Sequence, residues 1–475
     1  MSLLRAIDLA VFDGAERRVA PLSIDLSPGE PLVILGETGS GKSLFAQALM
    51  GTLPAGLSAR GRVEVAGRSL DAARPGDFRG LWGREIAVLP QEPWLSLDPL
   101  MRAGGQVAET HRLVRGLPRA EAQARARVDL AALGLRGAEA KLPHELSGGM
   151  AQRVAVAAAR AGGARIVVAD EPTKGLDARR RDDVAELLMA EVGAGGGLIV
   201  ITHDLAFARR LGGRLIVLRA GEAVETGATA QVLAAPAAAY TAELIAADPE
   251  TWPRRPASSP GRTVLRGEGL AVARGGRELF RDVSVAAQAG RILGVSGPSG
   301  CGKSTLGDVM LGLHRPSAGR VQRSESRATA YQKLYQDPVA AFPPRRALGR
   351  TLADVARAAG EPPARIEALM ARLSLRPALL DRRPGAVSGG ELQRLSLLRV
   401  LLMRPAFLFA DEPTSRLDPI TQAQMIRLLV ETAERDGCAL MLVSHDRALV
   451  EAISDATLDL GAPRDAPIRK EPSHV

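Results

Sequence analysis

The apolar residues of this chain gather into short, dense runs separated by longer stretches where apolar and polar positions mix. The clearest runs are Leu32–Leu35, Ile166–Ala169 and Leu198–Thr202, then Ile292–Val295, Phe407–Ala410 and Leu440–Ser444. Their length suits strands better than helices. Between them lie helix-compatible segments such as Arg119–Leu135 and Pro363–Leu375, rich in Ala, Arg and Leu. Strand runs alternating with helical patterns predict an α/β fold with a mostly parallel sheet. Shorter stretches, Arg62–Val65 and Ser69–Asp71, predict a small β-arm in the first half; the second half has only Gly319–Gln322 and a polar stretch there.

The pattern occurs twice. Leu4, Arg5, Leu9, Ala10 and Val11 return as Leu265, Arg266, Leu270, Ala271 and Val272, an offset of 261 residues. The offset falls to 245 at Gln91/Gln336 and to 241 at Ser147/Ser388 and Asp170/Asp411, and is 242 at His203/His445. The second half is therefore shorter, mainly where the first carries its β-arm. Pro249, Pro253, Pro256 and Pro260 punctuate a join rich in Ser, Arg and Ala, a density that disfavours helix and sheet pairing. The expected division is a first domain over 1–245, a linker over 246–262, a second domain over 263–462 and a polar tail over 463–475. The run Ala456–Leu460 predicts the last strand.

Composition narrows the class. At 475 residues with 46% apolar residues, each half is long enough to bury its own core. No apolar run approaches the roughly 18 residues of a membrane span, and Met1–Ala6 lacks the charged-then-apolar plan of a signal peptide. These features point to a cytoplasmic protein. The net charge of +9 is spread over scattered arginines, with no basic run of five; it reads as solvated surface, and no dedicated nucleic-acid partner is expected. Cys301 and Cys438 are the two cysteines, too few and too badly placed for a structural disulfide or a zinc site.

The chemistry sits at the ends of the apolar runs. Leu32–Leu35 leads into Gly36-Glu37-Thr38-Gly39-Ser40-Gly41-Lys42-Ser43, and Ile292–Val295 into Gly297-Pro298-Ser299-Gly300-Cys301-Gly302-Lys303-Ser304. Both match G-x-x-x-x-G-K-[ST] in its strand–loop–helix setting. The glycines let backbone N–H groups face a phosphate, and the helix N-terminus adds its positive end. Lys42 and Lys303 then neutralise the β- and γ-phosphates of ATP, and Ser43 and Ser304 ligate Mg²⁺. The strands Ile166–Asp170 and Phe407–Asp411 end in acid pairs, Asp170-Glu171 and Asp411-Glu412. The first acid is placed to hold Mg²⁺ and the second to act as general base towards water. A strand-end Asp is often only a helix cap, but Pro-Thr follows in both halves (Pro172-Thr173; Pro413-Thr414). Ser147-Gly148-Gly149 and Ser388-Gly389-Gly390 each open a helix, offering free N–H groups and a hydroxyl to an anion. An ordinary helix cap would read the same way in one copy.

Leu146–Arg153 and Val387–Arg394 resemble the signature of ATP-binding cassette (ABC) ATPases, and the resemblance covers nearly the whole chain, twice. It implies two P-loop cassettes, each a RecA-like, mostly parallel sheet core with an antiparallel β-subdomain and a helical subdomain. It implies nucleotide contacts from Gly36, Gly39, Ser40, Gly41, Lys42 and Ser43, and from Gly297, Gly300, Cys301, Gly302, Lys303, Ser304 and Thr305. Gln91 and Gln336 match the Q-loop that senses Mg²⁺, Asp177 and Asp418 the D-loop, and His203 and His445 the switch histidine; Glu171 and Glu412 carry catalysis. In this family cassettes pack head to tail, so Ser388, Gly389 and Gly390 are expected to finish the site begun by Lys42, and Ser147, Gly148 and Gly149 the one begun by Lys303. An aromatic usually stacks on adenine; Phe12 fits, whereas the 261 offset puts Ala273 beside Arg274 in the second half.

The family contains importer subunits, ribosome-acting tandem ATPases and DNA-repair ATPases. The ribosomal type, kept as the alternative, carries a long charged linker and Asn-His-Leu-Asp after the acid pair; here stand Lys174-Gly175-Leu176-Asp177 and Ser415-Arg416-Leu417-Asp418. The repair type requires zinc cysteines. Pro236-Ala237-Ala238-Ala239-Tyr240-Thr241, with Gln91–Pro99 and Gln336–Pro344, is similar to cassettes of the peptide/nickel importer family. That resemblance implies two integral-membrane permease subunits, an extracytoplasmic substrate-binding protein, and a peripheral position at the cytoplasmic face of the inner membrane. Base stacking contributes roughly 1–3 kcal/mol in nucleic-acid systems, so the second site is expected to bind ATP more weakly unless Arg274 substitutes by cation–π stacking. Separate ATP titrations of Glu171→Gln and Glu412→Gln chains check this, equal affinities at the two sites being the contrary result.

Overall fold

The computed structural model describes residues 2–173, 178–275, 277–298, 300–415 and 417–461. The chain divides into two compact units after Ile245. In the first, a parallel sheet runs in the order Arg214–Arg219, Pro31–Leu35, Gly197–Thr202, Ile166–Asp170, Ile86–Leu89, with Glu222–Ala228 added antiparallel at one edge. Pro31–Leu35 and Gly197–Thr202 are buried at every position, which is why they read as unbroken apolar runs. A second, antiparallel sheet, in the order Glu16–Leu26, Leu4–Asp13, Leu57–Val65, Arg68–Asp71, contains the arm expected from sequence. The two sheets share one core with the helix Lys42–Met50, centred on Phe45, Leu49, Phe78 and Ile34. A separate core of Val107, Leu130, Leu135 and Val154 holds the helices Ala103–Arg115, Arg119–Ala132 and Gly148–Arg160 together as a helical subdomain.

The second unit repeats this plan on a smaller scale. Its parallel sheet runs Tyr331–Leu334, Phe407–Asp411, Ala439–Val443, Ile292–Ser296, Ala456–Asp459. Its antiparallel sheet, Arg277–Gln288, Thr263–Arg274 and Ala318–Arg323, has three strands among the described residues. The helices Leu348–Ala358, Ala364–Arg372 and Gly389–Leu401 form its helical subdomain. The helix expected over Pro363–Leu375 ends at Arg372, where Leu373, Ser374 and Leu375 turn with N–H bonds to carbonyls of the last helical turn.

The Pro-rich join is not a free spacer. Ala246 ends the helix Ala239–Ala246, Pro249–Thr251 forms a 3₁₀ turn capped by Asp248, and no helix or strand follows until Thr263. Trp252 packs against the core of the second unit and donates its indole N–H to the Ala246 carbonyl at 3.0 Å. Arg255 reaches Asp455 at 2.5 Å and Glu434 at 2.7 Å. Asp455, 1% exposed at its side chain, also accepts N–H bonds from Ser258 and Ile292, each 2.7 Å. A buried carboxylate needs its cation, and with Arg291 no closer than 4.0 Å to Asp455, loss of Arg255 removes the closer of its two. Arg255→Ala is therefore expected to cost on the order of 3 kcal/mol, read as a lower urea midpoint of the full chain, with Arg255→Lys recovering part of the loss.

Candidate functional site

Each phosphate loop leaves a buried central strand and enters a helix. At Gly36 an added Cβ would lie 2.2 Å from the Leu218 carbonyl oxygen, so only glycine lets the loop pass the neighbouring strand. At the helix entrance Gly41 and Gly302 have φ of 98° and 101°, the left-handed region that disfavours side chains. The lysines fold back into their loops. Lys42 Nζ donates to the carbonyls of Gly36 and Glu37 at 2.7 and 2.8 Å, and Lys303 Nζ to those of Gly297 and Pro298 at 2.7 and 3.1 Å. Both are buried. The ammonium thus lies inside the anion nest, held by carbonyls that a phosphate oxygen can replace.

The acid pairs come to the same places. Ser43 Oγ donates to Asp170 Oδ1 at 3.2 Å, and Ser304 Oγ to Asp411 Oδ1 at 2.9 Å. A hydroxyl and a carboxylate, both hard oxygen donors at the end of a phosphate loop, fit Mg²⁺ bound partly by nucleotide phosphates. Burial raises the Asp411 pKa, opposed by the Ser304 bond and the charge of Lys333.

Glu171 and Glu412 follow at φ 48° and 45°, a strained conformation for a residue with a side chain. Their N–H groups are held by the carbonyls of Ile201 and Val443 at 2.8 and 3.0 Å. That bend aims each carboxylate at its histidine: Glu171 Oε1 lies 2.8 Å from His203 Nδ1, and Glu412 Oε2 3.6 Å from His445 Nδ1. An ionised carboxylate only accepts, so Nδ1 of His203 carries the hydrogen. Burial works against charge on Glu171, but the His203 bond, its charge and that of Lys42 outweigh it and hold the carboxyl below its ordinary range. For Glu412 the nearby His445 is the largest influence and acts in the same direction, although at 3.6 Å the two are not hydrogen-bonded. Ionised carboxylates beside a phosphate loop can accept a proton from water.

The remaining sequence-derived residues are placed less uniformly. Gln336 donates to Glu412 Oε2 at 3.0 Å, whereas Gln91 is exposed. Ser147 and Ser388 cap the helices Gly148–Arg160 and Gly389–Leu401, accepting from Met150 N and Glu391 N, each at 3.3 Å. The Ser388 backbone N–H in turn donates to Glu391 Oε2 at 3.1 Å, a reciprocal cap that Met150 cannot make in the first half. Both Ser-Gly-Gly openings are solvent-accessible. Asp418 caps the helix Pro419–Asp436, accepting from Thr421 N at 3.0 Å; Asp177 lies outside the described residues. Phe12 is half-buried, with the Arg60 guanidinium 4.5 Å from its ring centroid. Ala273 and Arg274 are exposed. Thr305 follows Ser304 in the helix Lys303–Leu311, and Cys301 is half-buried with its thiol pKa pushed up by burial.

Two contacts escaped sequence reading. Tyr240 Oη accepts the Glu37 N–H at 3.2 Å, tying the segment after the first sheet to the phosphate loop, and Arg219 covers its ring at 4.7 Å. Gln152 donates to the Pro172 carbonyl at 3.0 Å, linking the Ser-Gly-Gly helix to the turn after the acid pair. Gln152 and Gln393 occupy matching places, a signal the repeat already held.

The sequence profile of the ABC transporter family matches residues 19–174 and 280–415, more than half of the chain. The peptidoglycan transport ATP-binding protein YejF of Agrobacterium fabrum is 33% identical over 95% of this chain and 89% of its own length. The glutathione import ATP-binding protein GsiA of Escherichia coli O157:H7 is 34% identical over 92% of this chain and 80% of its own. An archaeal ribosome recycling factor, aABCE1, in complex with a stalk protein, superposes with a TM-score of 0.64 at 22% identity, covering 93% of this chain and 84% of that one, a likeness of fold alone. The chain belongs to the ABC transporter family. It is a tandem-cassette ATPase that uses ATP with Mg²⁺.

Loss of the His203 bond should let burial dominate at Glu171 and raise its pKa. The carboxylate is the form that accepts a proton, so its loss on acidification should then begin at higher pH. In a Glu412→Gln background, His203→Ala is expected to lower ATP turnover and move the acidic limb of the residual pH–rate profile upward.

Proposed function

We propose that this chain is the ATP-hydrolysing subunit of a membrane importer of the peptide/nickel type, with peptide-containing cargo as its substrate class. It works at the cytoplasmic face of the inner membrane with two integral permease subunits, which receive cargo from an extracytoplasmic binding protein. In this reading Lys42, Lys303 and the loop N–H groups bind the phosphates, Ser43, Asp170, Ser304 and Asp411 hold Mg²⁺, and Glu171 and Glu412 accept the proton of the attacking water. His203, His445 and Gln336 position those carboxylates, and Phe12 receives the adenine.

One observation carries the importer assignment. Directly after each Q-loop glutamine, a 3₁₀ turn (Pro93–Ser96; Pro338–Ala341) is anchored from below and apolar on top. Pro93 is buried and Trp94 packs on the helical subdomain, while Leu95 and Leu100 are 71% and 88% exposed. In the second unit Pro338 and Phe342 are buried, while Val339 is exposed. Large apolar side chains held outward on a fixed turn suit a partner surface, and both copies lie next to the groups that sense the nucleotide. The two relatives are named for glutathione import and peptidoglycan transport, and both cargoes contain peptide. The Pro236–Thr241 segment supports the same sub-family.

Leu95→Asp combined with Val339→Asp is expected to abolish cargo uptake and membrane co-purification while the isolated chain keeps ATP turnover within about threefold of the parent. Unimpaired uptake, or co-purification with ribosomes in place of membranes, would refute the importer assignment.

A further inference from the structure

Cassette two carries a lysine at the strand position that Val88 occupies in cassette one. Lys333 lies on Tyr331–Leu334, the strand leading to Gln336, in a register where it pairs across from Phe409. Its side chain is 13% exposed. Its Nζ donates to Asp308 Oδ1 at 2.7 Å and stands 3.6 Å from Asp411 Oδ2. It also lies over the rings of Phe409 and Tyr335, at 5.2 and 5.6 Å. Asp411 is thus engaged on both oxygens, Oδ1 by the Ser304 hydroxyl and Oδ2 by the Lys333 ammonium. In the first unit Val88 holds the matching place, paired across from Val168, and Gln47 stands where Asp308 does in the helix after the phosphate loop. Neither side chain can form the ion pair.

We infer that Lys333 is a resident counter-cation that lowers the affinity of cassette two for its divalent metal, making the two metal sites of one chain unequal. The inference rests on the assignment of Asp411 to the metal. Lysine at this position is held by the Asp308 carboxylate on one side and by two aromatic faces. A dication arriving at Asp411 meets a like charge already bound to the same carboxylate, in surroundings screened less than water. This asymmetry is independent of Phe12 and Ala273, which concern the base of the nucleotide.

The test counts bound Mn²⁺, a paramagnetic probe that takes the same oxygen ligands, by electron paramagnetic resonance on the full chain with a non-hydrolysable ATP analogue. Cassette two is isolated by Ser43→Ala and cassette one by Ser304→Ala. Mn²⁺ is expected to bind cassette two at least about tenfold more weakly. In the Ser43→Ala chain, Lys333→Met should tighten Mn²⁺ about tenfold, and Lys333→Gln, a shorter neutral side chain that still carries an N–H donor, should do the same if the Met variant folds poorly. Equal affinities at the two cassettes, or unchanged or weaker binding in both Lys333 variants, would overturn the inference. Asp411→Asn in the same chain separates the two layers of the argument. If it leaves Mn²⁺ binding intact, the metal assignment fails and the role of Lys333 with it; if it abolishes binding, the Lys333 variants decide.

Discussion

The hydroxyl-to-carboxylate bond between the phosphate-loop helix and the strand that ends in the acid pair is the contact on which each half depends. Ser43 to Asp170 and Ser304 to Asp411 join a helix start to a strand end, the two places where a fold of this kind exposes its chemistry. In each sheet one strand lies between the two, Gly197–Thr202 in the first unit and Ala439–Val443 in the second, so the bond reaches across it and depends on all three buried strands keeping register. The lysine of the loop, the strained glutamate one residue beyond the strand and the histidine of the next strand all inherit their positions from it. The core packs around the helix that carries the serine, so the metal ligands and the hydrophobic centre are parts of one arrangement.

Strain and charge are distributed around that contact in a consistent way. Left-handed glutamates would be costly at random positions, yet both copies adopt this conformation, each pinned by a backbone bond from the adjacent strand. The buried lysines are satisfied by loop carbonyls, and the buried acids by hydroxyl, histidine or lysine. Few of these contacts are strong singly. Together they keep charged groups poised without forcing them to neutralise, which is what a site for a highly charged nucleotide requires.

Much of this was legible in the amino-acid sequence because the signals were local: glycine spacing in the loops, apolar runs ending in acids, and an internal repeat that showed each signal twice. The helical subdomain and β-arm could be read from composition and offset. Other features could not. The reach of Arg255 to Asp455 spans 200 residues of sequence and depends on how the chain folds back. Tyr240 belonged to a segment noticed for its spacing, and its hydroxyl meets the loop only after the sheet closes. Lys333 takes its meaning from Asp308 and Asp411, which the sheet and helix bring to it. Arg60 over Phe12 is likewise a product of strand register, since Arg60 pairs across from Ala10 on the neighbouring strand.

The join between the halves has a bearing on how such a protein can change over generations. Because both cassettes are written in one chain, every molecule has one of each, and neither half can be replaced by a second copy of the other within that chain. A substitution such as valine to lysine on the strand before one glutamine therefore touches a single site. In an assembly of two identical subunits the same change would strike both sites together. Covalent linkage thus relaxes the demand that both copies remain interchangeable, and lets division of labour accumulate one residue at a time. The Pro-rich segment, folded onto the second unit by Trp252 and Arg255, is the physical seam that makes this inheritance joint.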